Sequence, residues 1–263
     1  MKKTRMILFG ALLASTTNFF YSCREIGPLG PAGAAGSKGA NGPSFKGAVA
    51  GFITLFDQYG KPIDVGLSGI TISIDSLEKP KTSVVTNNLG YYIFPNVYTG
   101  YYSMLVQNPS TTPVYGNSFG YFSFVADTLF RNMSMSMQAN FSPSEIVAHT
   151  NIKLSVDSLY ITLANADTQT RQVIVFVGNS STVSNSSYLY AFNVSVPVNK
   201  TLVYAVIQAS TLYNLGFTSG STAYYAVYGE PESDKSVYTN VFTGQNVYTA
   251  LSTTSLTAST LVP

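Results

Sequence analysis

The stretch GITISIDS, residues 69–76, constrains the fold more than any other. Ile70, Ile72 and Ile74 fall on one face of an extended chain, and Thr71, Ser73 and Asp75 fall on the other. Period two with β-branched residues marks a half-buried strand. The pattern recurs in MSMSMQ, where Met133, Met135 and Met137 alternate with Ser134, Ser136 and Gln138. SLYITLAN places Leu159, Ile161 and Leu163 on one face, and YLYAFNVSV does the same with Tyr188, Tyr190, Phe192, Val194 and Val196. Turn-forming NNLG and YTG separate the runs YYIF and YYSMLVQ. No long stretch carries helical periodicity. Many short strands with regular turn signals predict an all-β chain built from antiparallel β-sandwiches. Composition agrees, because 10% charged and 45% hydrophobic residues, with 19 Tyr and 16 Phe, do not fit disorder.

The first 46 residues follow different rules. Lys2, Lys3 and Arg5 precede the apolar run MILFGALLAS, which is too short to span a bilayer as a helix. The only cysteine, Cys23, stands where a signal peptide would be cut. The arrangement resembles a bacterial lipoprotein signal. Ser22 fits the small residue before the cysteine, while Phe20 and Tyr21 depart from the usual box. The resemblance implies a cleaved signal over 1–22 and a lipid on Cys23. A lone thiol also excludes an intrachain disulfide. After it, Gly27, Gly30, Gly33, Gly36, Gly39 and Gly42 recur at every third position. That is the spacing of a collagen triple helix, in which only glycine fits the axis. No proline occupies a Y position. The triplets are therefore read as an extended spacer over 23–46, reaching at most about 56 Å at about 3.1 Å per residue. A monomer is expected rather than a collagen-type trimer.

Residues 47–139 form the first predicted sandwich. GFITLFDQYGKPIDVGLSGITISI followed by KTSVVTNNLGYYIFPNVYTGYYSMLVQ resembles the carboxypeptidase regulatory-like domain. Gly51, Asp57, Gly60, Pro62, Gly69, Thr86, Gly90, Tyr91, Phe94, Val97, Gly100 and Tyr102 occupy the family's motif positions. The resemblance implies a transthyretin-like, seven-stranded sandwich with no catalytic residue. Residues 140–150 are expected as a linker because NFSPSEIVAH is polar and contains Pro143. Residues 151–263 are expected as a second sandwich of about seven strands. Its AYYAVYG resembles a late strand of fibronectin type III-like domains, so the domain is assigned as Ig-like.

Reaction centres are scarce. His149 is the single histidine and falls in the expected linker, so neither a Ser–His–Asp triad nor a Cys–His pair can be assembled. No His- or Cys-rich zinc set and no phosphate-cradling glycine loop is present. Glu230, Glu232 and Asp234 cluster in GEPESDK, where calcium is conceivable and a solvated acidic turn is the favoured reading. The sequence therefore predicts no catalytic residue, no metal and no cofactor. A formal net charge of +2 gives no reason to invoke nucleic acid.

Binding is the alternative to catalysis. Tyr92, Tyr101 and Tyr225 are candidate outward tyrosines of an interaction surface, since aromatic rings with polar tips suit interfaces. Ser76, Thr128 and Ser158 lie in Asp-Ser/Thr-Leu triplets, which resemble an O-glycan acceptor of some Gram-negative bacteria. Together these features predict an outer-membrane lipoprotein at the cell surface, anchored by its N-terminal lipid. It would act as a non-catalytic binding, adhesion or scaffold module whose partner is a surface protein or glycan. Two other readings stay open: an accessory lipoprotein of an extracellular hydrolase or glycan-handling system, and a collagen-like trimeric component.

Overall fold

The computed structural model describes residues 45–77, 79–125 and 127–263. The signal segment 1–22, Cys23 and the glycine triplets lie outside the described residues. From Phe45 onward the described chain belongs to one compact unit, built as two β-sandwiches.

The first sandwich opens with β1 (Lys46–Phe56), which pairs with β5 (Tyr91–Tyr98) and the two-residue β2 (Pro62–Ile63). Along its other edge, β8 (Thr128–Phe130) and β9 (Met133–Ser136) run parallel to β1 as one interrupted strand. The facing sheet has the order β4 (Lys79–Val85), β3 (Thr71–Ser76), β6 (Gly100–Gln107) and β7 (Ser118–Phe124), all antiparallel. Counting β8–β9 once and leaving out β2, three strands face four. The alternating isoleucines do what their spacing dictates: Ile70, Ile72 and Ile74 are buried against Tyr92, Phe94, Met104 and Phe124. Met135 is buried in the same core, with Met133 and Met137 packed at its margin.

Two turns are built alike. At Asp57–Gly60 the carboxylate accepts from the Tyr59 and Lys61 amides, and the Gly60 amide donates to the Asp57 carbonyl. At Asn87–Gly90 the Asn87 amide oxygen accepts from Leu89 and Tyr91, and the Gly90 amide donates to the Asn87 carbonyl. Gly60 and Gly90 both have φ near +75°, a conformation costly for any other residue. Here Asx geometry, glycine and reversal form one device.

The second sandwich has a sheet of β10 (Pro143–Asn151), β11 (Val156–Leu163) and β14 (Leu202–Gln208). It faces a sheet ordered β13 (Tyr190–Val196), β12 (Arg171–Gly178), β15 (Thr222–Glu230) and β18 (Ser255–Leu261). A short helix, α1 (Ala209–Asn214), follows β14. The expected linker at 140–150 is corrected: Pro143–Asn151 pairs with β11 from Pro143↔Leu163 to Asn151↔Val156. Proline is tolerated as the first residue of an edge strand, and Ile146 and Ala148 alternate inward onto the core. His149 faces out from this strand, its ring 5.7 Å from that of Tyr160.

The β13–β12–β15–β18 sheet is covered on both faces. Val173, Val175, Val177 and Tyr225 point into the sandwich core, while Ile174, Phe176 and Ala226 are buried on the opposite face. That second layer carries Tyr188, Leu251 and Tyr248, and includes part of the segment between β15 and β18. Within this segment, β16 (Tyr238–Thr239) and β17 (Asn246–Val247) form a small hairpin.

The segment also joins the two sandwiches. The Ser136 amide donates to Ser236 Oγ at 2.8 Å, Ser236 Oγ donates to the Gly116 carbonyl, and the Lys235 amide donates to Ser136 Oγ at 2.7 Å. Buried Gln58 accepts from the Asn140 amide through its side chain and from the Glu232 amide through its carbonyl. Tyr59 OH donates to Asp167 at 2.8 Å. These bonds satisfy buried polar groups that would otherwise be costly, and they fix one sandwich against the other.

Candidate functional site

The outward face of the β3–β6–β7 sheet carries an open groove of about 600 Å³. Its placement follows from strand register. Asp75, Ser103 and Tyr121 form one row across three strands, and Tyr101 stands opposite Ser123 in the next. β7 reads SFGYFSF, with aromatics on both of its faces. Phe122 and Phe124 point into the core, while Phe119 and Tyr121 point out. The Phe119 and Tyr121 rings meet edge-on at 4.9 Å.

The second sandwich supplies the other wall. The β16–β17 hairpin is anchored by Phe119, whose ring lies 5.0 Å from that of Tyr238. Asn240 shapes its turn by accepting from the Phe242 amide at 2.9 Å. Gln245 donates to the Tyr188 carbonyl and Tyr188 OH donates to the Asn246 carbonyl, tying the hairpin to its own sandwich. Phe242, at the tip, lines the groove and is 90% exposed; Tyr101 across from it is 84% exposed. Both rings project into water from hydrogen-bonded backbone on either side of the groove.

The candidate tyrosines separate. Tyr101 lies in the groove. Tyr92 is corrected: it is 1% exposed, packs against Phe94, and donates its hydroxyl to the Arg131 carbonyl. Its neighbour Tyr91 takes the outward position and pairs with Phe52 across the strands. Tyr225 is also corrected. It is fully buried and donates to Asp157 at 2.6 Å, because β15 is a central strand with both faces covered. Burial raises the Tyr92 and Tyr225 hydroxyls above the ordinary phenol range, so both remain donors.

The Asp-Ser/Thr-Leu triplets occupy three different settings. Ser76 ends β3 and lines the groove, and Thr128 begins β8 and is exposed. Ser158 lies mid-strand between His149 and Val206, beside an Asp157 that is fully buried.

The acidic cluster is not a solvated turn. Glu230 is 2% exposed, and Asp234 is half-buried near it. Removal from water, reinforced by the Asp234 charge, pushes the Glu230 carboxyl up to about 8. Burial also raises Asp234, against an opposing hydrogen bond from the Ser236 amide. Neither side chain lines the groove. Among the described residues, no group of three or more His, Cys, Asp or Glu side chains is placed to hold a metal ion.

Phe119, Tyr121, Phe242 and Asp75 are groove residues beyond the sequence-level candidates. The signal for the first two was present in the doubly aromatic β7. Phe242 gave none, since its place depends on a contact between distant segments.

No family model matches the chain, and no curated protein matches it. Solved structures share its outline at low similarity. A "putative carbohydrate binding protein" from Bacteroides uniformis is 11% identical, with 81% of this chain and 99% of that chain covered, at a TM-score of 0.30. A DUF3823 family protein from Parabacteroides merdae is 12% identical, with 80% and 98% covered, at 0.29. The major pilin SpaD from Corynebacterium diphtheriae is 12% identical, with 77% and 63% covered, at 0.28. Values this low carry neither a family nor a ligand from those proteins to this one.

Proposed function

We propose that the chain is a non-catalytic binding protein of the Gram-negative cell surface, held at the outer membrane by a lipid on Cys23. The aromatic groove at the seam of its two sandwiches is its binding face. The glycine triplets serve as the spacer, and the first sandwich is a diverged carboxypeptidase regulatory-like domain. The observation that carries the reading is the groove itself: Tyr101, Tyr121 and Phe242 converge from two sandwiches onto one open site, on strands and a hairpin fixed by hydrogen bonds. A backbone already fixed by hydrogen bonds loses little freedom on binding, which favours recognition. The motif glycines support the family reading. Gly51 leaves no room for a Cβ, which would lie 2.0 Å from the Arg131 carbonyl oxygen, so this glycine is structural.

Two measurements on the full-length chain test the proposal. Placing the photo-crosslinker p-benzoylphenylalanine at position 121 on intact cells should give an adduct. The same residue at Tyr160, exposed on the outer face of β11, should not. Equal labelling at both positions, or none at 121, refutes the groove as the binding face. Separately, Cys23→Ser should shift the protein from the membrane to the soluble fraction, and unchanged partition refutes the anchor.

A further inference from the structure

We infer that the groove takes a neutral sugar chain, with pyranose rings stacked on Tyr101, Tyr121 and Phe242 and their hydroxyls bound by Asp75 and Ser103. The inference rests on the groove being the binding face and names the ligand class for it.

The chemistry of the lining selects among ligands. Six aromatic residues line the groove; Tyr102 and Phe122 are buried at its floor, and Phe119, Tyr121, Tyr101 and Phe242 supply flat apolar surfaces with electron-rich faces. Serine and tyrosine hydroxyls supply neutral donors and acceptors, and Asp75 supplies one carboxylate. Among the described residues, no lysine or arginine lines the groove. Arg131 approaches β7 from behind: it crowds Gly120 and donates to the Tyr121 carbonyl. An anionic ligand would meet Asp75 with no balancing cation among the described lining residues. A purely apolar ligand would strip water from that carboxylate and leave it unpaired, a cost that opposes binding.

A pyranose satisfies both demands at once. Its axial C–H bonds form a weakly positive, apolar face that stacks on an aromatic ring, and its equatorial hydroxyls form a polar rim. Row spacing suits it. Asp75 and Tyr121 are two strands apart, about 10 Å at the usual inter-strand distance, with Ser103 between them. A sugar lying on Tyr121 presents its edge to Ser103 and Asp75. The volume of about 600 Å³ falls within the range of small-ligand sites.

The shape favours a chain over a point charge. Cation cages close several rings around one centre. Here, among the described residues, no ring contact joins Tyr101 or Phe242 to another aromatic, and the trench stays open between the sandwiches. A linear ligand can rest on successive rings along it.

The test uses the full-length protein and isothermal titration with cellohexaose, xylohexaose, mannohexaose and maltohexaose. A galacturonate hexamer and an oligolysine peptide serve as charged probes. At least one neutral hexasaccharide should bind, and neither charged probe should compete. Tyr101→Ala and Tyr121→Ala should each weaken binding about tenfold or more without moving the melting temperature. Asp75→Asn should weaken it less, with no change in salt dependence, because an amide still hydrogen-bonds hydroxyls. If no neutral hexasaccharide binds, or if oligolysine binds in a salt-dependent way that Asp75→Asn abolishes, the sugar assignment is overturned while the groove stands on its crosslinking result. If a sugar binds and the Tyr101 and Tyr121 variants bind it equally well, the sugar lies elsewhere and its assignment to the groove is overturned, while the groove as binding face is still judged by crosslinking.

Discussion

Glu230 makes the stability of the protein depend on pH in a direction opposite to that of an ordinary salt-bridged carboxylate. It ends β15, 2% exposed, with Oε2 lacking any hydrogen-bond partner among the described residues. Asp234 stands near it with Oδ2 in the same condition. The folded chain holds the Glu230 proton up to about pH 8, against a usual value near 4.5. The unfolded chain releases it at the lower value. Between the two the native state binds more protons, so stability falls as pH rises and levels off above about 8. The gap corresponds to at most about 5 kcal/mol, a large share of the stability of a typical domain. Asp234, raised in the same direction by burial, adds to the slope.

Glu230→Gln removes the charge and keeps the shape. The variant and the parent should have nearly equal stability at about pH 5, where Glu230 is neutral in the folded state. By about pH 9 the variant should be more stable by about 2–5 kcal/mol. Urea unfolding at stepped pH, followed by tyrosine fluorescence because the chain has no tryptophan, reads the difference directly. A difference that stays flat from about pH 5 to pH 9 would refute a buried, neutral Glu230. A difference that grows toward acid would show instead that the carboxylate is stabilised as the anion.

Other perturbations probe other parts of the structure. Tyr225→Phe deletes the hydroxyl that donates to Asp157 and should cost about 1–3 kcal/mol in urea unfolding, whereas Tyr204→Phe, exposed on β14, should cost nothing measurable. Ser236→Ala strands the Ser136 amide and the Gly116 carbonyl at the seam and should lower the midpoint by a similar amount. Unfolding should stay a single transition in that variant, because the Gln58 and Tyr59 bonds still cross the seam; two separated transitions would show that the coupling of the sandwiches rests on Ser236 alone. Gly229→Ala places a methyl 2.0 Å from the Phe141 carbonyl oxygen, so the soluble yield should collapse. Mass spectrometry of the mature protein should find Ser158 unmodified, because it lies mid-sheet beside a buried Asp157; if the triplets are glycan acceptors, exposed Thr128 should carry the mass.

How far the sequence could be read depended on the range of the forces involved. Alternation at Ile70–Ile74 and Leu159–Leu163, and the Asx–Gly turns at Asp57 and Asn87, are local, and each stands where its pattern places it. The same reasoning failed where burial is set by a third layer. In AYYAVYG the alternation is real, yet both phases are buried because the segment after β15 covers the second face. Polarity misled at Pro143–Asn151, since an edge strand needs only Ile146 and Ala148 inward and leaves Glu145 and His149 to water. It misled again at Glu230, whose acidic neighbours in sequence suggest solvent although the turn folds under the seam.

The groove is legible in no single stretch of sequence. No segment contains it. Asp75 and Tyr101 come from the paired but non-consecutive strands β3 and β6, Phe119 and Tyr121 from a strand whose inner face serves the core, and Phe242 from a turn more than a hundred residues away. Phe119 connects them: its ring touches Tyr121 on its own strand and Tyr238 at the base of the distant hairpin. Truncating that one side chain, Phe119→Ala, leaves both sandwich cores intact, because Phe119 belongs to neither. It removes the ring contact between the sheet and the base of the hairpin that carries Phe242. Folding should survive with a loss of about 1 kcal/mol or less, in keeping with a partly exposed aromatic contact. Binding at the groove should fall as far as in Tyr121→Ala. A variant that binds as well as the parent would show that the hairpin holds its place without Phe119, and that the two sandwiches meet at the groove without depending on it.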